Sequence, residues 1–89
     1  MLNSILETRE RINGLYQITL QINDDTYFTF HDTLNEVDAT ELLEKYLIFK
    51  ADDGRPDKVS IKHNKNEHVV IIKADLKYAD NEKTEAIYQ

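Results

Sequence analysis

The chain has 89 residues, 17 acidic against 11 basic, a formal net charge of −6 and no cysteine. A domain of this length buries only a little over ~60% of the surface its unfolded chain exposes, so a deep enclosed pocket is hard to build. Disulfides and thiolate chemistry are excluded, no apolar run approaches the ~18–20 residues of a membrane-spanning helix, and Met1 to Glu7 lacks the basic and apolar regions of a signal peptide, so a cytoplasmic location is expected.

Leu2, Ile5, Leu6, Arg9 and Ile12 recur at helical spacing, and Asn13-Gly14 follows as a stop. This predicts a short N-terminal helix over 2–12. Asn3 or Ser4 would cap it, with Glu7 at the capping-box position after Ser4.

Tyr16, Ile18, Leu20 and Ile22 then alternate with Leu15, Gln17, Thr19 and Gln21, the period of a strand. A hairpin is predicted over 15–31. A three-residue loop at Asn23-Asp24-Asp25 opposes Leu20 to Phe28 and Ile18 to Phe30, gathering the large apolar groups on one face.

The main helix is predicted over 38–51. Asp38 serves as N-cap, Glu41 sits at the third helical position, and Ala39, Leu42, Leu43, Tyr46 and Leu47 form the apolar stripe. Asp52-Asp53-Gly54, with Pro56 behind it, reads as the stop. The β-formers Tyr46 to Phe49 make a strand the rival reading of that segment.

A second hairpin is predicted over 58–78. A loop of Asn64 to Glu67 pairs His63 with His68, Ile61 with Val70 and Val59 with Ile72. Val59, Ile61, Val70, Ile72, Ala74, Leu76 and Tyr78 then share one face, and Lys58, Ser60, Lys62, Val69, Ile71, Lys73, Asp75 and Lys77 the other. The predicted fold is α+β: the N-terminal helix, covering Val69 and Ile71, followed by ββαββ with a four-stranded, mainly antiparallel sheet and one helix packed on it. Residues 1–78 form the single domain and 79–89 a polar tail, with Ile87 and Tyr88 as late anchors.

Charge is the strongest functional signal. Ile12 to Glu44 contains no lysine or arginine but seven carboxylates: Asp24, Asp25, Asp32, Glu36, Asp38, Glu41 and Glu44. Asp24 and Asp25 are accounted for by a turn, and Asp38 and Glu41 by a helix start. Asp32, Glu36 and Glu44 have no such local role and are the candidate partner-binding residues. Lys58, Lys62, Lys73 and Lys77 form an opposing candidate face for nucleic acid, with Lys65 in the loop. Few aromatics interleave with these lysines, and the whole molecule repels a polyanion.

Catalytic groupings are missing. Ser4 and Ser60 lie in no nucleophile-elbow context. His31, His63 and His68 lack the close spacings of strong metal sites, and the acids near Asp52 fail the calcium-loop pattern, since the twelfth position counted from Asp52 is His63. Two glycines cannot build a phosphate loop. No catalytic, metal-ligating or cofactor-binding residues are assigned. The sequence thus points to a small acidic protein-binding module that engages a basic partner surface. Nucleic-acid binding through the lysine face and self-association are the alternatives.

Overall fold

The computed structural model describes residues 2–78; the tail expected over 79–89, with Ile87 and Tyr88, lies outside the described residues. After a single 3₁₀ turn at Leu2–Ser4, the chain forms β1 (Leu6–Ile12), β2 (Leu15–Asn23), α1 (Asp24–Phe30), α2 (Glu36–Phe49), β3 (Arg55–Asn64) and β4 (Val69–Lys77). The four strands make one sheet in the order β1-β2-β4-β3, with every neighbouring pair antiparallel. The fold is α+β as expected, with one face of the sheet covered by helix and the other left open by the described residues.

The N-terminus departs from expectation: residues 6–12 are a strand rather than a helix. Asn13-Gly14 is the two-residue turn of a β1–β2 hairpin, with φ of 52° and 81°. Positive φ at both positions is what a type I′ turn demands, and Asn-Gly meets it with the least strain. The open sheet face therefore has no helix over Val69 and Ile71 among the described residues, since β1 extends the sheet sideways instead.

The expected first hairpin also ends early. β2 follows its predicted alternation and buries Ile18, Leu20 and Ile22, but residues 24–30 turn into α1. The side chain of Asn23 accepts from the N–H groups of Asp25 and Thr26, at 3.0 and 3.3 Å, so Asn23 is a helix cap rather than a turn residue. Asp24 and Asp25 then lie in the first turn, where the helix dipole favours carboxylates. Tyr27 is the anchor of this short helix, fully buried, with its hydroxyl donating to the Thr33 carbonyl at 2.7 Å.

α2 begins two residues before the predicted range, with its cap three residues earlier than predicted. Asn35, not Asp38, is its cap, accepting from the Asp38 N–H at 2.7 Å, while Asp38 itself accepts from the Thr33 hydroxyl at 2.9 Å. The 46–50 segment is helical to Phe49, which settles against the strand alternative. Ala39, Leu42, Leu43, Tyr46 and Leu47 are buried against the sheet, the repeat of one helix face. The stop is not Gly54. Ala51 adopts φ 55°, and the N–H groups of Ala51 and Asp52 bond the carbonyls of Ile48 and Leu47 at 3.0 and 2.8 Å. This is a Schellman end with alanine where glycine is usual.

β3 and β4 present the faces predicted for them, but their register is displaced by two residues: His63 pairs with Val70 and Ile61 with Ile72. A slip of two preserves side-chain facing, so the core survives the correction. A bulge between Asp57 and Ser60, with Lys58 at φ 52°, interrupts β3.

Candidate functional site

The two helices and their connection carry nearly all the unbalanced charge. Residues 24–49 hold seven carboxylates and one lysine, so the rest of the chain is formally neutral. α2 turns its apolar stripe to the sheet and thereby exposes a second stripe of Val37, Glu41, Glu44 and Ile48 to solvent. Val37 and Ile48 are 75% and 76% exposed, and Phe49 lies beside them at 51%. Glu36, Val37, Thr40, Glu41 and Glu44 line a shallow depression of about 510 Å³.

Two of the three predicted acidic residues, Glu36 and Glu44, therefore share this surface. Asp32 is exposed in the α1–α2 connection and does not line the depression. Glu41 belongs to the surface, although its place three residues after Asp38 gives it a capping role in the sequence. Once the helix starts at Glu36, position 41 lies beyond its first turn, and the acid joins the outward face, 3.4 Å from Lys45. The signal for this was Asn35, a good cap three residues ahead of Asp38.

The predicted lysine face exists in part. Lys58 and Lys73 border a depression of about 400 Å³ on the open sheet face with Gln17, Thr19, Ser60 and Asp75. Lys62 lies in the next row, opposite Ile71. Lys77 is ion-paired to Asp57 at 3.1 Å, and this pairing holds the Asp57 carboxyl below its ordinary range. The face is lined by threonine, glutamine and serine, and no aromatic residue sits on its rows among the described residues.

His63 and His68 do not oppose each other across the hairpin. They converge on Asp24 instead: His63 Nε2 lies 3.0 Å and His68 Nδ1 3.6 Å from its Oδ2. The Asp24 N–H also donates to the His68 carbonyl at 2.9 Å. The hydrogen bond to His63, with the charge of His68, lowers the Asp24 carboxyl below its ordinary range. The cluster ties the start of α1 to the β3–β4 turn. Among the described residues, no group of three or more His, Asp or Glu side chains is arranged to hold a metal ion. His31 stacks on Tyr27, with ring centroids 4.9 Å apart.

A second polar cluster lies where β1 passes the end of α2. Arg9 Nε meets Glu7 and its guanidinium meets Asp52, each at 2.6 Å, and Arg9 Nη1 donates to the Tyr78 hydroxyl at 3.0 Å. The Tyr46 hydroxyl donates to Glu7 at 2.7 Å. Burial pushes the Glu7 and Asp52 carboxyls up, but their hydrogen bonds outweigh it and both titrate below their ordinary range. Burial, aided by Glu7, pushes the Tyr46 phenol up to about 12. Every group here has a neighbour within the chain, and the cluster fastens β1 to the helix layer.

No described helix is long and apolar enough to cross a membrane. Comparison of the chain with protein-family models, with curated proteins and with solved structures finds no match.

Proposed function

We propose that the protein is a small acidic binding module whose α2 face docks on a basic, partly apolar surface of a protein partner. The observation that carries this reading is the co-location of Val37 and Ile48 with Glu36, Glu41 and Glu44 on one exposed helix face. Exposed apolar groups interleaved with charge of mainly one sign suit a docking surface: Val37 and Ile48, at the two ends of the stripe, supply contact area, and the carboxylates between and beside them steer encounter and reject acidic competitors. Glu36 and Glu44 have no ion-pair partner among the described residues, so their charge is available to a cation from outside. Asp32, exposed in the connection ahead of α2, is proposed as a flanking contact only.

Affinity capture from the native host, read by mass spectrometry, tests the reading. Replacing Glu36 and Glu44 together by lysine is expected to remove basic proteins from the captured set. An unchanged set sinks the proposal. The open lysine face is the second reading, favoured by the grouping of Lys58 and Lys73. Its lack of stacking aromatics weighs against single-stranded nucleic acid in particular. A gel shift at low salt with Lys62 and Lys73 replaced separates it from the first.

A further inference from the structure

The two edges of the sheet are built differently. β3 is blunted: Pro56 removes a donor, and the bulge between Asp57 and Ser60 breaks the line of the strand. β1 has neither device. It is seven residues long, pairs with β2 without interruption, and is mostly exposed on both faces. Leu6 and Ile12 stand 63% and 45% exposed on it. Ile12 and Leu15 flank the two-residue turn, so they form a hydrogen-bonded pair of the hairpin. By alternation, Leu6, Thr8, Glu10 and Ile12 spend their backbone groups on β2. The N–H and C=O groups of Glu7, Arg9 and Arg11 point out from the edge.

We propose that β1 pairs antiparallel with β1 of a second copy of this chain about a two-fold axis at Arg9, giving one continuous eight-stranded sheet. The sequence of the strand is complementary to its own reverse in this register. Glu7 faces Arg11 of the second copy, and Arg11 faces Glu7. Leu6 faces Ile12, and Thr8 faces Glu10. Opposite charges and apolar pairs directly across a ladder stabilise it. The outward groups of Glu7, Arg9 and Arg11 all find backbone partners, six hydrogen bonds in the symmetric ladder. The like-charged pair at the axis is disarmed, because each Arg9 guanidinium is already folded onto Asp52 and Glu7 of its own chain. A shift of two residues in either direction loses this match: one sets Leu6 against Glu10, the other Arg9 against Arg11. Such a pairing is isologous and closed, so it stops at the dimer while β3 refuses further growth. It also sets both α2 layers on the same side of the joined sheet, doubling the acidic surface offered to a partner.

The test uses the full chain. Sedimentation equilibrium across micromolar to millimolar concentrations is expected to show a monomer–dimer equilibrium. Arg11→Glu, which sets two carboxylates opposite each other, is expected to weaken the dimer at least tenfold. Register is read by engineered cysteines, as the chain has none of its own. Leu6→Cys with Ile12→Cys is expected to cross-link two chains under mild oxidation. The two cysteines of one chain are about 20 Å apart along the strand, so they cannot bridge internally. Thr8→Cys with Ile12→Cys, mismatched by two residues, is expected to cross-link far more slowly. A monomer at all concentrations, a dimer indifferent to Arg11→Glu, or equal cross-linking by both pairs would overturn the proposal.

Discussion

Arg9→Met removes the guanidinium from the cluster at the end of α2 while keeping most of the side-chain volume. Glu7 and Asp52 then lose the guanidinium they share, and Tyr78 loses a donor. An exposed ion pair contributes roughly 0–1 kcal/mol, whereas stripping one partner from a buried pair costs roughly 3–5 kcal/mol. Here the three side chains are 30%, 25% and 13% accessible. The cost therefore falls between the two cases, at about 2 kcal/mol. For a domain of this size that is a fall in Tm of about 8–16 °C.

The pH dependence gives the sharper test. Glu7 and Asp52 have folded pKa values depressed below their unfolded ones. Their contribution is fully present above the unfolded values, at about pH 4, and is lost as pH falls through the folded values. The deficit of Arg9→Met is accordingly greatest near neutrality and narrows below about pH 4. Thermal unfolding followed by circular dichroism at a series of pH values measures both quantities. A loss under about 0.5 kcal/mol at pH 7, or a deficit that does not change with pH, would show these charges to be fully screened by water instead of partly withdrawn from it.

Ala51→Gly should stabilise the fold by about 0.5–1 kcal/mol in denaturant titration, because the left-handed φ of 55° strains an alanine and not a glycine. Gly14→Ala should destabilise by about 1 kcal/mol for the same reason: nothing lies within 4 Å of the added methyl, so the whole cost is the φ of 81°. Tyr46→Phe should cost about 1–2 kcal/mol by leaving the half-buried Glu7 carboxylate short of a donor. The same variant should also delete the phenol that titrates at about 12 from the ultraviolet pH titration.

The elements that could be read from sequence are those whose two faces differ. β2 and β4 each bury one side, so period-2 alternation in Ile18-Leu20-Ile22 and Val70-Ile72-Ala74-Leu76 identifies them. α2 was legible because Leu42, Leu43, Tyr46 and Leu47 repeat at helical spacing and outweigh the β propensity of Tyr46 to Phe49; Ile48 and Phe49 simply fall on the exposed side. β1 was not legible. It is exposed on both faces, so it carries no alternation, and its scattered apolar residues happened to fit a helix. The Asn13-Gly14 pair was the available signal, since it is far more characteristic of a hairpin than of a helix end. α1 misled in the opposite sense: Thr26, Tyr27, Phe28, Thr29 and Phe30 favour strands, and the tertiary anchor at Tyr27 together with the Asn23 cap overrode them. The two-residue error in the β3–β4 pairing has a similar origin, for a slip of two leaves every side chain on its own face and hydrophobic patterning is blind to it.

The acidic surface was half legible for the same reasons. Glu36 and Glu44 stood out because nothing local accounted for them. Glu41 is hidden by a cap expected at Asp38, three residues after the true cap Asn35, and Asp32 lies off the depression that the others line.

The α2 face is proposed as the surface the protein presents to its partner. Nitrogen–proton correlation spectra of the labelled protein, recorded with and without the captured partner, test it most directly. Shift changes are expected to concentrate at Glu36, Val37, Thr40, Glu41, Glu44 and Ile48. Changes confined to Lys58, Ser60, Lys62 and Lys73 on the open sheet face would contradict it.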